Sequence, residues 1–161
     1  MKSILMSFSI YWLYLIFEDI KREEARKAIP TSEDWNKRVI CYAGKNKREL
    51  MRIPTAFREK YRRLMGKVVG EFICDSIRKG RADNLSQAYC HNSEETCLTD
   101  KELVFYATRG KPLYFLHISD LKAYVKPKEL GEFSKPRGTI IRAFESQFIT
   151  TPPQSWRYME A

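Results

Sequence analysis

The chain has 161 residues, of which 43% are hydrophobic and 13% aromatic, with 29 basic residues against 20 acidic ones. This composition excludes a disordered chain and fits one domain with a packed core, residues 1–161. The net charge of +9 speaks to partners and not to fold, and it makes a polyanion the natural partner.

In chain order, residues 3–9 read as a strand. Residues 10–19 read as a short helix with Trp12, Leu13, Ile16 and Phe17 on one face. Residues 4–17 have the apolarity of a secretory leader's core. Ser7 and Ser9 interrupt it, however, and Glu18-Asp19 follows with no small-residue cleavage site. The stretch is also too short to cross a bilayer, so a cytoplasmic protein with no membrane partner is expected. Residues 21–27 read as a strand leading to a turn at Pro30, and residues 39–43 as another strand. Thr55 is placed to cap a helix over 55–65, whose Phe57, Tyr61, Leu64 and Met65 share a face and which Gly66 ends. Residues 68–75 read as a buried strand and 80–97 as polar and irregular. Thr99-Asp100-Lys101-Glu102 has the form of a capping box, with Leu98 and Leu103 placed for a hydrophobic staple. The helix it opens runs to about Thr108. Residues 112–125 read as one long strand broken at Pro127, residues 140–149 as a weaker strand, and 154–159 as the last. Short strands with two or three small helices make an α+β barrel the expected fold.

The charge is concentrated. Eleven Lys or Arg lie between Lys37 and Lys67, opposed only by Glu49 and Glu59, and the rest of the chain is neutral. Lys45, Lys47, Arg48 and Arg52 flank the turn around Gly44, while Arg58, Arg62 and Arg63 lie on the helix that follows. Tyr42 and Tyr61 are interleaved with them. Basic side chains beside aromatics suit single-stranded or structured RNA better than duplex readout. The bland alternative is a solvated helical face that aids solubility.

Cys41 and Cys74 sit in apolar runs and read as small buried hydrophobes. Cys90-His91 and Cys97 invite a zinc reading, but the spacing matches no common finger or ribbon. There is no phosphate-binding glycine loop, no dinucleotide fingerprint, no HExxH and no serine-hydrolase signature. No metal or cofactor is therefore expected.

Three strings narrow the field further. They are Gly66-Lys67-Val68-Val69-Gly70-Glu71-Phe72, then His117-Ile118-Ser119-Asp120-Leu121-Lys122 running through Tyr124 to Lys126-Pro127-Lys128-Glu129-Leu130, and finally Pro152-Pro153-Gln154-Ser155-Trp156-Arg157-Tyr158. In this order and spacing the chain resembles an ASCH (activating signal cointegrator homology) domain of the small, stand-alone, phage- and prophage-type kind. ASCH domains belong to the PUA-like superfamily of nucleic-acid-binding β-barrels. The resemblance also covers Lys21-x-x-Glu24-x-Arg26, a string that in such proteins follows the first helix and lines a cleft between that helix and the barrel. Here Asp19 stands where the pattern has glycine, and Ser9-Ile10 where many relatives have Lys-Pro.

The resemblance implies a ligand cleft built from Lys21, Glu24, Arg26, Gln154, Ser155 and Trp156. The two prolines before Gln154 present the following side chains stiffly, Gln154 suits a base edge, and Trp156 either stacks a base or belongs to the core. If the protein is an enzyme, a ribonuclease or an amidohydrolase acting on a modified nucleoside, Lys21 and Glu24 are its acid–base pair. Amidohydrolase relatives have Thr where this chain has Glu24, so non-catalytic binding is the favoured expectation. His117, in an apolar strand, reads as a core or rim histidine before a catalytic one. RNA or another nucleic acid is the expected partner. A host nucleic-acid enzyme or ribonucleoprotein, blocked through the same basic surface, is the alternative.

Overall fold

A computed structural model of the chain describes residues 2–30, 36–80, 93–107, 111–139, 141–143 and 145–160. Five strands form the larger sheet: β1 (Lys2–Phe8), β3 (Lys37–Ala43), β4 (Val68–Cys74), β7 (Ser119–Lys128) and β8 (Trp156–Glu160), in the order β7-β4-β3-β1-β8. Three shorter strands form the second sheet: β2 (Glu23–Arg26), β5 (Ile77–Gly80) and β6 (Leu113–His117), in the order β2-β6-β5. The helices are α1 (Ile10–Phe17), α2 (Lys47–Leu50), α3 (Thr55–Arg62), α4 (Ser93–Thr96) and α5 (Asp100–Ala107). The expected α+β class stands.

The central strands β1 and β3 run parallel, Ile4 opposite Val39 and Phe8 opposite Ala43. Both of their faces are covered, so both are almost wholly apolar. Ile4, Met6, Phe8, Val39 and Cys41 face a core shared with Leu13 and Ile16 of α1 and with Tyr61 of α3. Leu5, Ile40 and Tyr42 face the opposite layer, closed by Leu130, Phe133, Ile149 and Met159. A third cluster, with Leu103, Ala107, Leu113 and Phe115, packs α5 on the smaller sheet. Burial pushes the Cys74 thiol up to about 12 and the Cys41 thiol higher still, as expected of inert core residues.

Several sequence readings need correction. The strand expected over 112–125 is two strands: His117 pairs with Glu23 in one sheet and Ser119 with Ile73 in the other, so Ile118 is where the chain changes sheets. Pro127 does not end a strand, because β7 is a sheet edge, where a missing N–H costs no ladder bond. Thr55 is the first residue of α3, and Pro54 holds the cap position. Residues 140–149 contribute an isolated bridge between Ser134 and Phe148; Ile140 lies outside the described residues, as do residues 81–92 with Cys90 and His91, and Thr108.

The capping box at α5 forms as expected: Thr99 N donates to Glu102 Oε2 at 2.8 Å, and Glu102 N donates to Thr99 Oγ1 at 3.3 Å. Gly66 ends the turn after α3 with φ +81°, a conformation that glycine adopts without strain. Asp19 has φ +57°, a left-handed conformation that Asp and Asn adopt more readily than most residues.

Gly70 is closely enclosed in the larger sheet. A Cβ there would lie 2.4 Å from the Lys122 carbonyl oxygen of β7 and 2.7 Å from the Phe17 ring. Gly70→Ala should therefore cost about 2–3 kcal/mol of stability, the upper range for overpacking, as read by urea unfolding. An unchanged unfolding midpoint would contradict this packing.

Candidate functional site

The helix α1 ends where the Leu15 carbonyl accepts from both Ile20 N, at 2.8 Å, and Lys21 N, at 2.9 Å. That turn directs Lys21 inward. β2 follows, and its alternation sends Glu24 and Arg26 to the same side. The three side chains meet in the interior, with Lys21 only 2% exposed, Glu24 6% and Arg26 8%. Glu24 Oε2 lies 3.5 Å from Lys21 Nζ, and Glu24 Oε1 lies 2.9 Å from Arg26 Nε. The Arg26 Nε approach is a charge contact and not an aligned hydrogen bond.

Each cation has a second anchor. Lys21 Nζ donates to the carbonyl of Thr96, the last residue of α4, at 2.6 Å, and sits 5.0 Å from the centre of the Trp12 ring. Arg26 Nη2 donates to the Ser7 carbonyl of β1 at 2.9 Å, its guanidinium lies 4.9 Å from the Phe8 ring centre, and Nη1 reaches Ser155 Oγ at 3.5 Å. Ser7 Oγ in turn donates to the Pro153 carbonyl at 2.6 Å.

These groups line a cavity of about 200 Å³ whose walls include Ser9, Trp12, Leu98 and Tyr106. This is small for a ligand pocket, and of the size for one planar ring and not for a whole nucleotide. Inside it are one carboxylate acceptor and two cationic donors, beside the aromatic side chains of Phe8, Trp12 and Tyr106. Burial lowers the proton affinity of Lys21, outweighing the opposing pull of Glu24.

The expected C-terminal members of the cleft are placed unevenly. Ser155 touches Arg26, Gln154 is exposed, and Trp156 packs edge-on against Tyr158 at the margin of the core. Sequence reasoning missed Trp12 and Tyr106 as cleft walls. Trp12 falls on the apolar face of α1, where spacing alone does not separate a core residue from a cleft wall.

The basic stripe also divides. Lys45, Lys47 and Arg48 are exposed around the turn after β3. Arg52 pairs with Glu49 at 2.9 Å and stacks on Tyr11 at 3.9 Å, with Trp12 at 5.2 Å, which joins the stripe to the cleft mouth. Arg58 is turned to its own backbone, donating to the carbonyls of Ile53 and Met51, and Arg62 and Arg63 both pair with Glu59. Tyr42 and Tyr61 do not interleave with these cations on the surface. They are 5% and 0% exposed, because Tyr61 OH is satisfied internally by Glu18 Oε1 at 2.8 Å and Tyr42 closes the second core layer.

His117 Nδ1 lies 2.7 Å from Asp75 Oδ1 at a half-exposed rim, away from the cleft. Among the described residues no three ligating side chains converge as a metal site would need, and no helix is long and apolar enough to cross a membrane.

No family model and no curated protein matches this chain. Solved structures do. An ASCH protein from Zymomonas mobilis is similar over 98% of this chain and 87% of its own, with a TM-score of 0.64 at 19% identity. A Tyr-to-Phe variant of it gives 0.65 at 17% identity over 98% and 90% of the two chains, and a Ser-to-Ala variant gives 0.65 at 18% over 98% and 88%. At these identities the likeness is one of fold: the chain folds as these ASCH proteins do.

The burial of Lys21 fixes a pH dependence. The folded chain gives up the Lys21 proton more readily than the unfolded chain, whose lysine keeps the ordinary value of 10.5. Between the two values the unfolded state binds more protons, so stability rises with pH. Compared with Lys21→Met, the wild-type protein should gain stability as pH climbs toward 10.5. Denaturant unfolding across that range measures it, and parallel curves for the two proteins would contradict the burial.

Proposed function

We propose that this protein binds single-stranded nucleic acid, RNA in preference to DNA, with one unstacked base in the Lys21–Glu24–Arg26 cleft and the flanking backbone on the basic turn. The observation that carries this reading is the buried trio opening on a small cavity beside Trp12 and Tyr106. A base edge alternates donors and acceptors. Glu24 supplies an acceptor beside two donors, and an aromatic face supplies stacking. Electrostatics agree, since Lys45, Lys47, Arg48 and Arg52 lie at or near the cleft mouth, where a phosphodiester chain would leave it.

The preference for RNA rests on the setting of the cleft. Ser7, Ser9 and Ser155 surround its rim with hydroxyls and backbone carbonyls that suit a ribose 2′-OH. A second reading, hydrolysis of RNA or of a modified nucleoside, is favoured by one observation: the lowered proton affinity of Lys21 beside Glu24 gives an acid–base pair. It requires turnover that Lys21→Ala and Glu24→Gln abolish. Binding alone requires no turnover.

Fluorescence anisotropy with labelled single-stranded RNA tests the binding. If about five phosphates are neutralised, the log–log salt slope is near −3.5. Trp12→Ala should weaken binding by about 1–3 kcal/mol with the slope kept, as loss of one stacked base would. Lys45→Ala and Lys47→Ala should each lower the slope by about 0.7. A flat salt dependence, or a Trp12→Ala protein that binds like wild type, would refute this function.

A further inference from the structure

A second and larger hollow, of about 720 Å³, opens between α3 and the end of β7. Lys60, Arg63 and Lys67 line it on the side of α3 and the start of β4, and Lys126 on the side of β7. Glu129 and Glu132 also line it, but both carboxylates are engaged within the protein. Glu129 pairs with Lys67, and Glu132 Oε1 accepts from Glu129 N at 2.7 Å, closing the short 3₁₀ turn Leu130–Glu132. Lys60 is held by Glu18 at 2.8 Å and Arg63 by Glu59 at 3.0 Å. Both cations are more than half exposed, so a phosphate can compete for them at little cost. The apolar walls are Leu64 and Pro127, and among the described residues no aromatic ring lines the hollow. Such a surface reads charge and carries no base information.

Strand register locates this hollow relative to the cleft. β1 and β3 end side by side at Phe8 and Ala43. β4 begins beside them, with Val68 opposite Tyr42, and β7 ends beside β4, with Lys128 opposite Val68. Four strand ends therefore lie along one rim of the larger sheet. In order they carry the cleft at β1, the basic turn at β3, Lys67 at β4 and Lys126 at β7. Three inter-strand steps of roughly 4.8 Å separate the first from the last, about 14 Å in all. The gap is not empty: Lys45 runs across it, its side chain lying against Gly66.

Building on the cleft reading above, we propose that the hollow between α3 and β7 is a second phosphate-binding site. It takes the backbone of the same single strand whose base occupies the cleft. A strand leaving the cleft along this rim meets a cation at each successive strand end. The charge of the chain, which the sequence concentrates between Lys37 and Lys67, is thereby extended onto the edge strand β7. The footprint then spans several nucleotides, as single-strand sites commonly do.

The test uses two labelled RNA probes, a dinucleotide that the cleft alone can fill and a dodecanucleotide that reaches the hollow, against wild type and Arg63→Ala/Lys126→Ala. Both substituted residues are exposed, and an unchanged melting temperature confirms that the fold is kept. Wild type should bind the longer strand more tightly. The double variant should lose that advantage severalfold, with its salt slope lower by about 1.4, while its dinucleotide affinity stays at the wild-type level. A variant that keeps the wild-type affinity and slope for the longer strand overturns the second site and leaves the cleft reading standing. Equal loss for both probes also overturns it, since the two residues would then act on the cleft. A wild-type protein that binds neither probe overturns both readings.

Discussion

The Glu24 carboxylate is the point at which separate parts of this molecule are tied together. It lies between Lys21 and Arg26 in the interior, and each cation then reaches out of its own element. Lys21 holds the Thr96 carbonyl, Arg26 holds the Ser7 carbonyl of β1, and Arg26 also touches Ser155 ahead of β8. One buried acid thus links the small sheet to the large one and to the approach of α5. Without it two cations would remain in a low-dielectric interior, a loss on the order of 3–5 kcal/mol for a broken buried pair. With it two cationic side chains share one carboxylate, and the trio borders a cavity. A polar cluster of this depth does little for stability compared with an apolar core, which supports the proposal that it serves a ligand.

The second constraint is register. Parallel pairing of β1 with β3, and antiparallel pairing of β3 with β4, β4 with β7 and β1 with β8, bring five strand ends to one rim. The Pro152–Trp156 segment enters β8 at that same rim, with Ser7 N donating to the Ser155 carbonyl at 3.1 Å. Segments far apart in sequence, around residues 7–12, 44–52, 67, 126–128 and 153–156, become neighbours through strand pairing alone. Arg52, stacked on Tyr11 and beside Trp12, is where the basic surface meets the cleft.

Much of this was legible in the sequence where the cause is local. The apolar runs of β1 and β3 are near-continuous because both faces are covered, and the capping box at Thr99 needs only four residues. The spacing of Lys21, Glu24 and Arg26 likewise carried its own geometry. What escaped depends on distant partners. Nothing between Leu116 and Ser119 marks a break, since both flanking segments are good strands and only their partners, Glu23 and Ile73, lie in different sheets. Pro127 looks like a breaker unless its edge position is known. Tyr61 lies among arginines in sequence, yet it is buried because Glu18, 43 positions away, satisfies its hydroxyl. The concentration of positive charge was plain, but not its division. Arg58 serves backbone carbonyls, while Lys45, Lys47 and Arg48 face solvent.

The most direct test is an amide-resolved NMR titration of the full chain with single-stranded RNA. Binding along the rim predicts shifts at Ser7 to Trp12, Glu24 to Arg26, Gly44 to Arg48, Lys67 and Trp156, growing together with one affinity. The opposite ends of the same strands, at Lys37, Cys74, Ser119 and Glu160, should stay still. Shifts centred on those opposite ends, or no shifts at saturating RNA, would contradict the account.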